Sequence, residues 1–243
     1  MIRKLSFIVF LLTVCPEAWA SMSRVQFLHQ YPATSGTGYA FGSNNTAGNL
    51  LIAVASASGT TSFTFSDSLG NSWTHLTAMT SPLTINIAYV LNAKGGANSV
   101  TLTSAGSDLG FTVVEVNATG GATWAIDSSL TSGSTTAGTS TNSPRSNNYS
   151  TAGSDDYIFM AWGDENADMT ITSETQSFTL INHEVNHADA QFQWLDAGPQ
   201  TSISSGFNGS TTDDQWGLYI VAFTASGGGA TCPKTRALLG VGC

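Results

Sequence analysis

Asn49-Leu50-Leu51-Ile52-Ala53-Val54-Ala55 reads as the centre of a strand, and the chain restates it 107 residues later as Asp156-Tyr157-Ile158-Phe159-Met160-Ala161-Trp162. Phe111-Thr112-Val113-Val114-Glu115-Val116 and Leu218-Tyr219-Ile220-Val221-Ala222-Phe223 stand the same 107 residues apart. Between these anchors the register drifts a little. Ser72-Trp73-Thr74-His75-Leu76 falls against Ser177-Phe178-Thr179-Leu180-Ile181 at 105, and Leu91-Asn92-Ala93 against Leu195-Asp196-Ala197 at 104. Loops absorb length changes that strands do not. A strand unit used twice, at about 46–117 and 153–224, is therefore the expected architecture.

Turn residues recur every eight to twelve positions, and no stretch of the body holds a 3.6-residue apolar period. The pattern predicts strands near 25–30, 50–56, 61–66, 72–77, 84–91, 98–104 and 111–117, then 157–163, 169–173, 177–182, 190–195, 201–206 and 217–224. Asp67-Ser68-Leu69-Gly70-Asn71 and Asn92-Ala93-Lys94-Gly95-Gly96 read as hairpin connections, because Gly and Asn make positive φ cheap. Residues 127–151 are poor in apolar side chains and rich in Ser and Thr, the composition of a connection. Each half alone offers too few strands for a comfortable core, so the copies should pack face to face. The expectation is all-β: one antiparallel β-sandwich of jelly-roll type over 21–226.

The first twenty residues stand apart from this body. Arg3 and Lys4 precede an apolar run, and Ala18-Trp19-Ala20 has the small-x-small form of a secretory cleavage site; the run is too short for a membrane span. The chain holds 7 basic and 16 acidic side chains, and Arg3, Lys4 and Glu17 would leave with that segment. The remaining balance argues against nucleic acid and anionic membranes as partners. Charged residues make up 9% of the chain, against roughly 25% in an ordinary soluble domain, so Ser, Thr, Gly and Asn supply the polar surface. A secreted, periplasmic or cell-surface location follows. Cys232 and Cys243 bracket a tail beyond the hinge at Gly227-Gly228-Gly229, and an oxidising compartment would join them in a disulfide or bond them to another chain.

Thr46-Ala47-Gly48-Asn49-Leu50-Leu51, Ser66-Asp67-Ser68-Leu69-Gly70-Asn71-Ser72-Trp73, Asn92 to Val100 and the closing Trp216 to Phe223 together resemble a group of exported bacterial β-sandwich proteins of unassigned function. The resemblance spans about 46–225. Its motifs are turn and core residues, so it implies a fold and an exported location and transfers no catalytic residue.

Three constellations carry candidate chemistry. His183-Glu184-Val185-Asn186-His187 matches the H-E-x-x-H pattern of zinc hydrolases, in which a helix turns both imidazoles to one metal. Here strand patterns flank it, leaving Asp189 or His75 to complete any zinc site; a solvated loop is the plainer reading. Asp164-Glu165-Asn166-Ala167-Asp168 alternates oxygen side chains like the first half of a calcium loop, but lacks the following Gly and the distant Glu. A looser calcium site on Asp164, Asn166 and Asp168 competes with a solvated acidic turn. Third, Trp124, Trp194 and Trp216 have no aromatic counterpart across the two copies and are the candidate platforms for a sugar ring, with core packing as the ordinary alternative. Trp73 and Phe178 are equivalent in the copies and read as core. Glu115 is expected to be a strand-end or paired carboxylate, near Lys94.

No nucleophile elbow, phosphate loop or nucleotide fingerprint occurs in the sequence. The leading expectation is a non-enzymatic module binding carbohydrate or a cell surface. A self-associating subunit of a fibre or coat and a zinc-dependent hydrolase are the alternatives.

Overall fold

The computed structural model describes residues 22–59, 62–80, 84–128, 134–138, 150–151, 156–164, 171–174, 179–182, 191–197, 207–209 and 216–226. In chain order the strands are β1 (Met22–Gln30), β2 (Gly38–Ala40), β3 (Leu50–Ser58), β4 (Phe63–Asp67), β5 (Thr74–His75), β6 (Thr84–Val90), β7 (Ser99–Ser104) and β8 (Ser107–Ala118). There follow β9 (Thr123–Ile126), β10 (Ser134–Gly138), β11 (Asp156–Asp164), β12 (Ile171–Glu174), β13 (Thr179–Asn182), β14 (Gln191–Ala197), β15 (Phe207–Gly209) and β16 (Trp216–Ser226). The described residues contain no helix, so none is long and apolar enough to cross a membrane. The chain is all-β, and every strand pair is antiparallel.

The strands form two large sheets and two small ones. The first large sheet runs β1-β8-β3-β6-β5, and the second runs β10-β16-β11-β14-β13 with β9 also pairing β16. A three-stranded sheet β2-β7-β4 and a pair β12-β15 complete the set.

The run that opens β3 explains the layering. Leu50 to Ala57 are buried without exception, although side chains alternate between the two faces of a strand. Both faces of β3 must therefore be covered. Leu50, Ile52 and Val54 join a core with Tyr157 and Phe159 of β11 and Val221 and Phe223 of β16. Leu51, Ala53, Ala55 and Ala57 enter a second core with Phe63 and Phe65 of β4 and Val100 and Leu102 of β7. The large sheets thus meet across the first core, where Tyr89 packs edge-to-face on Phe223 at 5.2 Å. Tyr219 donates its hydroxyl across the same gap to the Thr77 carbonyl at 2.7 Å.

Three expectations from sequence are corrected here. The first half does close a core of its own: the residues of the second cluster all lie between Phe41 and Val113, because β2, β4 and β7 form a separate layer over the first large sheet. Asp67–Asn71 and Asn92–Gly96 are not hairpins. One carries the chain from β4 in the small sheet to β5 in the large one, and the other from β6 back to β7, so both arch between layers; turn chemistry reports a change of direction, not the partner of the next strand. Finally, the Ser- and Thr-rich stretch 127–151 contains β10, which pairs with β16 from Ser134 opposite Ile220 to Gly138 opposite Trp216. Backbone ladders need no apolar side chains. The strand expected at 201–206 lies outside the described residues, and β15 follows it at Phe207–Gly209.

Candidate functional site

At the end of the first large sheet where β3 begins and β6 and β8 finish, loops far apart in sequence are tied together. Asn45 and Gly96 exchange backbone hydrogen bonds at 2.8 and 2.9 Å, Gly48 N donates to Ala93 O at 2.9 Å, and Ala93 N to Asn49 O at 2.9 Å. Gly48 takes φ +89, a backbone region that side chains avoid. Gly95 is needed for a different reason, since a Cβ there would lie 3.1 Å from Ala47 N.

Beneath this rim sits Glu115, which is fully buried. It accepts from Asn45 Nδ2 at 2.7 Å, Thr46 N at 2.8 Å, Asn49 Nδ2 at 2.6 Å and Gln26 Nε2 at 2.6 Å. Four donors and no acceptor face it, the environment a buried carboxylate requires. Gln26 reaches it because the register of β1 shifts between Arg24 and Gln26, setting Gln26 opposite Glu115; such bulges re-aim side chains. The expected pairing with Lys94 is not made. Lys94 Nζ donates instead to the Leu69 and Gly70 carbonyls at 3.0 and 2.8 Å, and its backbone N to Asn71 Oδ1 at 2.8 Å. These bonds join the two arches. Asp67 holds the first arch through Leu69 N, Asn71 N, Asn71 Nδ2 and Trp73 Nε1, each at 2.9 to 3.1 Å.

Outside the rim opens a cleft of about 470 Å³. Its walls are the loop 46–49, Leu91 and Asn92 after β6, Asn117 and Ala118 of β8, and residues 121–124. No charged side chain lines it. Trp124 enters from the second large sheet, where β9 sets it opposite Ala225 of β16; its ring belongs to the core between the sheets and closes one wall. Asn92 and Asn117 are exposed, whereas Asn49 is buried and held on Glu115.

Of the residues singled out from sequence, Trp124 is therefore both core and cleft wall. Trp216 is buried at the start of β16. Trp194 lies on β14 with its backbone opposite Phe159 and Thr179, and Asp164 ends β11 opposite Trp216. Asn166, Asp168, His183, Glu184, His187, Asp189, Phe178, Cys232 and Cys243 lie outside the described residues. His75 is exposed, with Nδ1 3.2 Å from Asn86 Oδ1 and its ring stacked on Phe65 at 6.0 Å. Trp73 also stacks on Phe65, at 5.5 Å between ring centroids. Among the described residues no three His, Cys, Asp or Glu side chains gather as metal ligands would.

No family model, curated protein or solved structure matches the chain. The cleft must be read from its own chemistry. Carboxamides donate and accept without charge, Thr46 and Thr123 add hydroxyls, and Leu91, the alanines and Trp124 add apolar surface. Sequence reasoning missed Asn49, Asn92 and Asn117 because each reads locally as turn or strand-end chemistry; only the convergence of four segments makes them one wall.

Proposed function

We propose that this protein is an exported, non-enzymatic β-sandwich of jelly-roll type, built from a duplicated strand unit, that binds carbohydrate in the cleft walled by Asn49, Asn92, Asn117 and Trp124. The observation that carries this reading is the cleft's uncharged lining. Sugars present neutral hydroxyls to hydrogen-bonding side chains and apolar ring faces to aromatic or aliphatic ones. A volume of about 470 Å³ falls in the usual range for small-molecule sites, roughly 300–1,000 Å³, and suits one or two sugar rings. Export is supported by the Arg3-Lys4 and apolar leader and by the low charge of the body.

The duplication draws support from strand registers. Leu50 faces Val116 in the first large sheet, and the residues 107 further on, Tyr157 and Phe223, face each other in the second. Thr74 faces Tyr89, and the residues 105 further on, Thr179 and Trp194, do the same. On this register β14 corresponds to β6 at 105, one residue from the 104 of the sequence alignment, and Trp194 corresponds to the core aromatic Tyr89. In the first half the chain passes repeatedly between β2-β7-β4 and the large sheet, with β5 and β6 successive in the latter, and this back-and-forth supports the jelly-roll description.

Titration calorimetry against soluble oligosaccharides tests the proposal. Saturable micromolar binding, lost in Asn92→Ala and Asn117→Ala while the fold persists, is the expected result; no binding to any glycan defeats it. The fibre or coat reading keeps one observation of its own: Val25 and Phe27 on the edge strand β1 are 48% and 42% exposed. Concentration-dependent size-exclusion behaviour would favour it, and a strict monomer would not. For the zinc-hydrolase reading, near-stoichiometric zinc lost in His183→Ala would be needed.

A further inference from the structure

The cleft's surroundings say what kind of sugar it takes. On the reading that the cleft binds carbohydrate, the geometry points to selection of uncharged glycans and rejection of acidic ones bearing uronate, sulfate or phosphate groups. Three observations converge. No Lys, Arg or His lines the wall, so an anionic substituent would surrender water without gaining a cationic partner. Lys94, the cation on the second arch, does not line the cleft, and two of its ammonium N–H groups are directed to the Leu69 and Gly70 carbonyls. Behind the wall lies Glu115, bonded directly to Thr46 N and Asn49 Nδ2, two wall residues, with its other bonds from the neutral side chains of Gln26 and Asn45.

All four partners of Glu115 are neutral, so none cancels its charge. Donors aimed at the carboxylate point away from the cleft: Asn49 spends an N–H inward. What the loop 46–49 offers a ligand is correspondingly richer in acceptors, which suits hydroxyl donors and repels oxyanions. A ligand charge within about one Debye length of the carboxylate is opposed by enough to weaken binding about five- to tenfold at a partly buried dielectric.

The experiment compares neutral and acidic oligosaccharides of equal length, cello- and chito-oligomers against oligogalacturonate and a sulfated glucan, titrated into the full chain at about 0.01 M and about 0.15 M salt. Expected are saturable binding of a neutral series with an affinity that salt leaves unchanged, and binding of the acidic series at least about fivefold weaker, the gap narrowing as salt rises. Ala47→Lys, at an exposed wall position whose side chain makes no hydrogen bond to the ligand on this reading, should bring the acidic series to parity or beyond while the circular dichroism stays that of the parent. Equal or tighter binding of the acidic series by the parent overturns the selectivity and leaves the carbohydrate reading intact. Binding of neither series overturns both. If neutral sugars win but Ala47→Lys leaves the ratio unmoved, discrimination does not arise in this cleft and the inference fails.

Discussion

Asn49 donates its Nδ2 to Glu115 Oε1 at 2.6 Å, joining the residue that leads into β3 to the strand beside it while both side chains are out of water. Glu115→Gln keeps the size of the side chain but turns an amide NH2 group toward donors from Asn45, Thr46, Asn49 and Gln26. Removing an acceptor from buried donors is expected to cost about 3 kcal/mol, or about 6–12 °C in Tm for a chain of this size. Thermal and urea melts measure it. A loss below about 0.5 kcal/mol would mean that the loop 45–49 does not depend on this carboxylate.

Alkaline stability should depend on the phenol between the large sheets. Burial pushes the Tyr219 hydroxyl far above its ordinary 10.0, and Tyr89 is raised as well, by burial chiefly and against the opposing effect of its bond with Thr74. Unfolded tyrosines then lose their protons first as pH rises, so the unfolded state binds fewer protons and stability falls with pH. This contribution is whole below about pH 10 and declines above it. Tyr219→Phe should flatten the decline and, at neutral pH, cost about 1 kcal/mol through the lost bond to Thr77 O. Denaturant midpoints between pH 7 and about 11 give both readings; an unchanged alkaline slope would refute the assignment.

The arches give a contrast between two ends of one network. Asp67→Ala leaves four donors of the first arch without their acceptor and should cost about 2 kcal/mol, whereas Lys94→Met removes an exposed ammonium from two carbonyls that water can reach and should leave the denaturation midpoint nearly unchanged. Equal effects from the two would overturn this ordering.

Cores on the two faces of β3 permit a test of cooperativity. Phe223→Ala empties the core between the large sheets and Phe111→Ala the core under the small sheet, each at about 3–5 kcal/mol. If the layers unfold as one unit, both variants keep a single transition by fluorescence and circular dichroism. Separate transitions would show layers that melt independently.

Gly95→Ala probes the rim. Its Cβ would press on Ala47 N at 3.1 Å and displace the loop that walls the cleft, for about 1–3 kcal/mol. Oligosaccharide affinity should fall further than stability predicts, and calorimetry on protein shown to be folded checks it.

Much of the fold is legible in the sequence because its signals are local. The alternation in Phe63-Thr64-Phe65 marks β4, the apolar run Leu50 to Ala55 marks β3, and β-branched and aromatic residues among few polar ones mark β6 and β8. Short strands escape that reading: Gly38-Tyr39-Ala40 and Ser134 to Gly138 join sheets through backbone ladders of only three and five residue pairs. Layer assignment escapes as well, since Asp67–Asn71 has the residues of a tight turn whether the next strand pairs with the last or crosses above it. The site is the least legible part. Glu115 is answered by donors 66 to 89 residues away, and no spacing rule connects Gln26, Asn45 and Asn49 to it before the sheet is assembled.

The strand orders also bear on how the chain comes to be folded at all. β8 sits between β1 and β3, and β16 between β10 and β11: each large sheet has an interior place filled by a strand that arrives after both of its neighbours. During synthesis β1 and β3 must wait for β8, and β10 and β11 for β16, so neither sheet can close its ladder early. The first sheet can be completed only once Ala118 has been made, and the second stays open until β16, ending at Ser226, has followed almost all of the chain.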